Sequence, residues 1–455
     1  MRLQHTTLIT DMEDTSPVID LGKYRKILRE TNPLVCQGQV INVVGLTVEA
    51  EGVTAQIGEL CNIVIDESVP PIPAEVVGFR NRRLLLMPLW VMDGVRPGSA
   101  VVATRQTLKV TVGHSLLGRV LDGLGRPFDD LGPILTGMTR PVYNGAPHPL
   151  KRRPIDTILT TGIRAIDGLL TCGRGQRVGI FAGSGVGKSS LMGMLARNAL
   201  SDVNVIALIG ERGREVRDFI EQDLGADGLR RSVVVVSTSE QPPLVRLKGA
   251  FVATAIAEYF REEGHDVVFL MDSVTRFAMA QRDVGLAIGE PPTTKGYTPS
   301  VFTLLPRLME RAGTSEHGSI SGFYTVLVEA DDLTEPITDT VRSILDGHIV
   351  LSRDLAAEGH YPAIDILSSI SRVMPDLITP AHRDWAQQLR EVLATYQRAA
   401  DLVNIGAYQR GSNPAIDRAL DVRPAVLKFL RQGTDEVSSF EETLTRLQSI
   451  FANNQ

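Results

Sequence analysis

Hydrophobic positions change rhythm twice along this chain. Between about residue 110 and residue 373, short apolar runs alternate with stretches whose apolar positions recur at helical spacing. The runs are Val178 to Phe181, Val205 to Ile209, Val233 to Val236, Val267 to Met271 and Tyr324 to Val328. Strands covered on both faces read as such continuous runs, and their alternation with helices implies a mainly parallel sheet. Leu191, Leu195 and Ala199, with Met192 and Ala196 beside them, mark one intervening helix as buried along a face.

From about 31 to 109 the runs are shorter and separated by Gly, Pro and Asn turns. Gln39 to Val44, Val53 to Ile57, Asn62 to Ile65, Glu75 to Val77, Arg83 to Met87 and Ala100 to Ala103 read as closely spaced strands of a small β-barrel. After Pro375 and Pro380 the pattern becomes helical, with Trp385, Leu389, Val392, Leu393 and Tyr396 on one face. Gly and Pro near 406, 411, 414, 424 and 433 read as breaks between helices. Residues 1–30 are polar and mixed, with Leu21, Tyr24, Ile27 and Leu28 at the spacing of a docking helix or of an amphipathic segment packed on its own protein. The expected organisation is α/β: a segment 1–30, a barrel 31–109, a parallel-sheet core 110–373 and a helical domain 374–455.

Composition narrows the class. Lys and Arg total 47 against 53 Asp and Glu, a formal net charge of −6, which argues against a surface that coats nucleic acid. Cys36, Cys61 and Cys172 have neither C-x-x-C spacing nor a disulfide framework, which points to a reducing, cytoplasmic compartment. The apolar stretch Leu84 to Val91 contains Pro88 and falls far short of the ~20 residues of a membrane helix. No basic-then-apolar leader precedes it, so membrane association is expected to be peripheral or through a partner.

The chemistry concentrates in the core. Directly after the run ending at Phe181 stand Ala182, Gly183, Ser184, Gly185, Val186, Gly187, Lys188, Ser189 and Ser190, followed by a helical pattern. A glycine-rich turn at a helix N-terminus aims backbone N–H groups and the helix dipole at one anion, so this is a phosphate cradle. Lys188 then reaches the β- and γ-phosphates of a nucleoside triphosphate and the Ser189 hydroxyl holds Mg²⁺. Ala182 stands where the strict motif has its first glycine. The run Val205 to Ile209 ends in Gly210 and Glu211, which puts a carboxylate at the edge where open α/β sheets bind ligands. Glu211 there orients and deprotonates a water, and Arg212 contacts the γ-phosphate; alone, Glu-Arg-Gly-Arg-Glu fits a solvated turn equally well. The run Val267 to Met271 ends in Asp272, as a Walker B strand does, with the carboxylate anchoring Mg²⁺. His265, His317, His348 and His360 lack metal-ligand spacing. The segment Gly289 to Pro299 is too Pro-rich for regular structure and reads as a functional loop facing a central pore or as a merely structural connection.

Taken in order, Gly183 to Ser189, Gly210 to Glu215, Asp272 to Arg276, His360 to Asp365 and Ser369 to Arg372 resemble the catalytic subunits of rotary ATPases. Gly185 to Lys188, Pro292 to Tyr297, Ile349 to Arg353 and Asn404 to Tyr408 look like the flagellum-specific export ATPases, close relatives of the injectisome type III secretion ATPases. The resemblance runs from about residue 31 to the C-terminus. It implies a homohexameric ring of subunits with a RecA-like P-loop core between an N-terminal β-barrel and a C-terminal helical domain. Lys188 and Ser189 match the phosphate and Mg²⁺ positions, Glu211 the catalytic carboxylate and Asp272 the Walker B acid. Tyr361 matches the aromatic that stacks on adenine, and Arg372 the finger that a neighbouring subunit inserts, typically worth 10³ to 10⁵ in rate. The implied activity is ATP hydrolysis that energises flagellar protein export. Implied partners are a regulator resembling FliH at the N-terminal segment, the membrane export gate, and export chaperones and substrates, with no nucleic acid. An injectisome ATPase is the alternative; an ATP synthase catalytic subunit, a non-hydrolysing ring subunit and an RNA translocase are further ones.

Overall fold

The computed structural model describes residues 21, 22, 24, 25, 37–66, 68–328 and 332–452. Leu21 and Tyr24 are exposed, while Ile27, Leu28 and Cys36 lie outside the described residues. Six antiparallel strands then close a barrel: β1 (Gln37–Val44), β2 (Thr47–Glu51), β3 (Glu59–Val64), β4 (Ile72–Arg80), β5 (Arg83–Pro88) and β6 (Ala100–Thr107), in the order β1-β2-β5-β4-β3-β6. Alternate residues such as Val48, Ala50, Cys61, Ile63, Ala74, Val76 and Leu86 fill its interior, as the period of two demands. The expected strand at Val53 to Ile57 is absent, and β2 lies upstream at Thr47–Glu51. Gly52 and Gly58 bracket that run with φ of +80° and +84°, so it turns between β2 and β3, with Val53 tucked inward and Ile57 facing water.

Two small antiparallel pairs follow, β7 (Lys109–Thr111) with β9 (Thr139–Pro141) and β10 (Ile158–Leu159) with β11 (Cys172–Gly173). The core sheet is built from β8 (Val120–Asp122), β12 (Arg177–Ala182), β13 (Val203–Ile209), β14 (Ser232–Ser237), β15 (Asp266–Asp272), β17 (Ser319–Leu327), β18 (Gly347–Leu351) and β19 (Ile364–Ser371). Their order is β19-β18-β12-β17-β15-β13-β14-β8, with β16 (Gly313–Thr314) pairing β17 off the main path. All pairs along the path are parallel except β18 with β19. The helix Pro243–Glu262 covers one face and Lys188–Asn198 the other, each in its own apolar cluster. Cys61 and Cys172 are buried and unpaired, and burial pushes the Cys61 thiol up to about 11.

The helices Pro380–Asn404, Pro414–Leu430 and Phe440–Ala452 pack Leu389, Val392, Val426, Phe429 and Leu447 into the same cluster as Lys188–Asn198. Pro424 does not break its helix: it stands exposed within the continuous helix Pro414–Leu430. Nor is Gly289 to Pro299 wholly irregular. Thr293 folds onto the Tyr297 carbonyl through its hydroxyl (2.6 Å) and amide (2.7 Å) around a short turn, Thr294–Gly296, and Pro299 opens the next helix.

A buried ion pair ties the helix Pro243–Glu262 to the chain after the helix Pro299–Met309. Arg311 donates from Nε and Nη2 to the Glu258 carboxylate at 2.8 and 2.7 Å, and from Nη1 to the Val142 carbonyl at 2.9 Å. Both side chains are almost wholly buried. Arg311→Met leaves the Glu258 charge unpaired and is expected to cost about 3–5 kcal/mol, whereas Arg311→Met with Glu258→Leu recovers most of that loss. Urea midpoints of the two variants check this, and equal losses would contradict it.

Candidate active site

The cradle begins where β12 ends. Ala182 still pairs in register with Leu327 and Leu351, and its carbonyl accepts the Val328 amide at 3.0 Å. A position inside a strand needs no glycine, which is why alanine serves there. Gly185 and Gly187 do need to be glycines, with φ of +77° and +89°. Val186 is buried and anchors the loop from behind, while Ser184, Gly185 and Ser189 are exposed. Gly187 caps the helix Lys188–Asn198 with no side-chain acceptor, so the first-turn N–H groups remain for an anion. A Cβ built on Gly185 would meet nothing within 4 Å. That open space belongs to a cleft of about 710 Å³ lined by Gly183, Lys188, Ser189, Glu211, Arg212 and Asp272 among others.

Parallel register brings the charged groups together. Leu208 on β13 stands opposite Asp272 at the end of β15, so Glu211 and Asp272 leave the same edge of the sheet. Lys188 reaches between them, with Nζ donating to Asp272 Oδ1 at 2.6 Å and lying 3.6 Å from Glu211 Oε1. Thr325 on β17 donates to the same Asp272 oxygen at 2.7 Å. Burial would lower the Lys188 ammonium, yet the Asp272 and Glu211 carboxylates hold it above its ordinary range. Burial first, then the neighbouring Asp272 charge, push the Glu211 carboxyl up to about 7 against the pull of Lys188. Glu211 Oε1 is buried without a hydrogen-bond partner among the described residues, an acceptor available to a bound group. Among the described residues, no three His, Cys, Asp or Glu cluster to hold a metal ion. Ser189 and Asp272 supply only hard oxygen donors, which fits Mg²⁺ carried largely by phosphate oxygens and water.

The remaining expected site residues are dispersed. Arg212 sits at the rim, mostly exposed and 3.7 Å from Glu215. Tyr361 lies outside the lining of the phosphate cleft but beside the cradle, where a Cβ on Gly187 would stand 3.4 Å from its ring. Arg372 is not in the cleft. β19 runs antiparallel to β18, with Leu351 opposite Ile364 and Gly347 opposite Ser371. The strand therefore starts at the cradle edge, just after Tyr361, and delivers Arg372 to the far edge, where its guanidinium donates to the Arg342 carbonyl at 3.4 Å.

Sequence reasoning passed over Thr325, Glu215, Arg276 and Arg353 as site residues. Thr325 was hidden in an apolar run, where a lone hydroxyl was the only signal. Arg276 lines the cleft with a buried Nε that has no hydrogen-bond partner among the described residues, and its side chain covers Gly210 so closely that a Cβ there would lie 2.8 Å from Arg276 Cβ. Its position in the first helical turn after Asp272 could have flagged it. Arg353 enters the cleft two residues beyond the end of β18.

Comparisons with known proteins agree with the architecture of barrel, parallel sheet and C-terminal helices. The model of the ATP synthase alpha/beta family, nucleotide-binding domain, matches residues 162–371, and that of the same family's beta-barrel domain matches residues 40–105. The T3SS EscN ATPase C-terminal domain matches residues 378–449. The flagellum-specific ATP synthase of Bacillus subtilis (strain 168) is 56% identical over 421 residues, 92% of this chain and 96% of the relative. The type 3 secretion system ATPase of Xanthomonas euvesicatoria is 51% identical over 413 residues, 91% of this chain and 93% of the relative. The assembled ATPase EscN from the enteropathogenic E. coli type III secretion system superposes with a TM-score of 0.87 at 46% identity, covering 91% of this chain and 100% of that one. Its complex with the central stalk EscO gives 0.85 at the same identity and coverage.

The raised Glu211 carboxyl has a consequence for stability. The folded chain keeps that proton to about 7, whereas an unfolded glutamate releases it near the ordinary 4.5, so the folded state binds more protons between those values. Its contribution to stability is therefore full at acid pH and is lost as pH rises through that window. Thermal unfolding midpoints of nucleotide-free protein between pH 5 and 8 should fall less steeply in Glu211→Gln than in the wild type; parallel profiles would contradict the assignment.

Proposed function

The chain belongs to the ATP synthase alpha/beta family, among its flagellum-specific and type III secretion ATPases, and on that footing we propose that it hydrolyses ATP to energise flagellar protein export. The observation that carries the hydrolytic reading is the Lys188 ammonium set between Asp272 and Glu211 at the head of the glycine cradle. Lys188 and the first-turn N–H groups hold the β- and γ-phosphates. Ser189 and Asp272 would hold Mg²⁺, which when bound would neutralise charge on the phosphate oxygens. Glu211 accepts the proton of the attacking water; a carboxyl raised to about 7 is basic enough to take it near neutral pH. Arg212 turns from the rim toward the γ-phosphate, and Tyr361 stacks on the adenine.

Arg372 serves the neighbouring subunit's cleft in a homohexameric ring. Its position at the sheet edge opposite its own cradle supports a finger acting in trans, as does likeness to the assembled EscN. In such a ring the segment Gly289 to Pro299 faces the pore. A regulator resembling FliH on the N-terminal segment, the export gate, chaperones and unfolded flagellar subunits are the partners, and nucleic acid is not. The chain works in the cytoplasm at the inner face of the membrane; no helix among the described residues is long and apolar enough to cross one.

The 51% identity to a type 3 secretion system ATPase favours the injectisome as the second reading. The match of the C-terminal helices to the T3SS EscN ATPase domain favours secretion over ATP synthesis. Motility separates the first two. A Lys188→Ala strain should fail to assemble flagellar filaments, and normal flagella with failure of another secretion system would transfer the chain to the injectisome.

Two variants address the chemistry directly. Glu211→Gln should bind ATP and lose about 10²- to 10⁴-fold in hydrolysis. Arg372→Ala should lose about 10³- to 10⁵-fold with the ATP affinity of the single chain preserved. Mixing the two inactive proteins should restore turnover, because an Arg372→Ala cleft beside a Glu211→Gln neighbour has both its own base and a finger. A mixture as inactive as its parents would remove the trans arrangement.

A further inference from the structure

Behind Tyr361 lies a buried polar junction that neither the motifs nor the cleft accounts for. The Gln432 amide N–H donates to the Tyr361 carbonyl at 2.9 Å. The Gln432 side chain is buried, and its polar atoms are engaged on both sides of a domain boundary. Oε1 accepts the Arg164 amide at 2.8 Å, while Nε2 donates to the carbonyls of Gly162 at 2.8 Å and Glu436 at 2.7 Å. Gly162 and Arg164 belong to the core just before β11 and β12, whereas Gln432 and Glu436 follow the helix Pro414–Leu430.

Arg164 closes the same junction from the core side. Its buried guanidinium donates from Nε to the Phe429 carbonyl at 2.9 Å and from Nη2 to the Arg431 carbonyl at 2.5 Å, and it pairs with Glu436. A cation on the last carbonyls of a helix also suits the negative end of its dipole. At the back of the junction, Arg197 near the end of the cradle helix donates to the Thr434 carbonyl at 2.8 Å. The segment 431–436 is thus fastened to Tyr361 at one end and to the cradle helix at the other. Because Gln432 is buried with its donors and acceptor paired, it cannot shift without leaving polar groups unsatisfied.

We propose that Gln432 is a positioning residue for base recognition, setting Tyr361 over the cradle and making the grip on adenine depend on where the C-terminal helical domain sits. The inference rests on the reading of Tyr361 as the adenine platform. It gives the C-terminal domain a mechanical route to the nucleotide: a partner that displaces the helix Pro414–Leu430 pulls on Gln432, and Gln432 on Tyr361. Arg197 joins the segment to the last turn of the cradle helix, at the end opposite the first-turn N–H groups, so phosphate binding by the cradle does not use this route.

The test compares ATP with inorganic tripolyphosphate, which presents the phosphate chain without a base. Gln432→Met fills the same volume without hydrogen bonds, and Gln432→Glu keeps an acceptor for the Arg164 amide while losing the donor to Gly162. Each should raise the KM for ATP about tenfold, with the loss falling on KM rather than kcat, while tripolyphosphate competes as well as in the wild type; tenfold corresponds to ~1.4 kcal/mol. Tyr361→Ala should do the same, and combining it with either Gln432 variant should add little, because both act on one contact. If Gln432→Met does not fold, Gln432→Glu decides. A folded Gln432 variant with wild-type ATP affinity, or one that loses ATP and tripolyphosphate equally, overturns the proposal provided Tyr361→Ala weakens ATP. If Tyr361→Ala itself leaves ATP binding intact, the adenine platform falls instead, and this inference with it.

Discussion

Parallel pairing of β12, β17, β15 and β13 is the constraint from which the rest of the site follows. Ala182 stands level with Leu327, and Leu208 level with Asp272, so the chain leaves the sheet at one edge each time it emerges from these strands. A glycine turn, a Walker B carboxylate and a second carboxylate therefore meet around a single buried ammonium. Charges so enclosed are stable only as a paired group, and each alters its neighbours: Lys188 stays protonated despite burial, and Glu211 becomes a carboxyl that changes state near neutrality. The chemistry assigned to the site is a consequence of this enclosure. An exposed glutamate on a solvated turn would be too weak a base.

The one antiparallel step along the sheet has the opposite effect. By reversing at β18, the chain places Tyr361 beside its own cradle and, one strand later, Arg372 at the far edge. A single strand thus connects Tyr361 beside the cradle with Arg372 at the opposite edge of the sheet. Whatever fixes Tyr361 also fixes the start of β19. Gln432 does so from the C-terminal domain, and Arg390 on the helix Pro380–Asn404 grips the same strand, donating to the Ile366 carbonyl at 2.7 Å and the Ser369 carbonyl at 3.2 Å. The helical domain is thus hydrogen-bonded to the sheet along β19 and to Tyr361 just before it.

Much of this was legible along the chain. Apolar runs flanked by helical periods specify a doubly covered sheet because burial on two faces leaves few polar positions, and the runs ending at Phe181, Ile209 and Met271 became the strands that frame the cleft. Two local readings failed for local reasons. Val53 to Ile57 alternates like a strand, but the glycines at either end turn it out of the ladder. Pro424 reads as a break, but it stands on the exposed side of a helix that runs through it.

Groups adjacent in sequence and bound to backbone geometry were thus determined by the amino-acid sequence: the cradle from Gly183 to Ser190, the carboxylates Glu211 and Asp272 at strand ends, and the sequence of barrel, sheet and helices. Pairings between distant segments were decided by tertiary structure alone. Thr325 reaches Asp272 only because β17 lies beside β15, and Arg276 covers Gly210 only because their strands are neighbours. Gln432 meets Arg164 across 268 residues, a contact no local pattern encodes because the two residues lie in separate elements that only the packed core brings together. Strand order and register, set by the packing of the whole core, choose which side chains share an edge, and so keep Arg372 away from its own cleft.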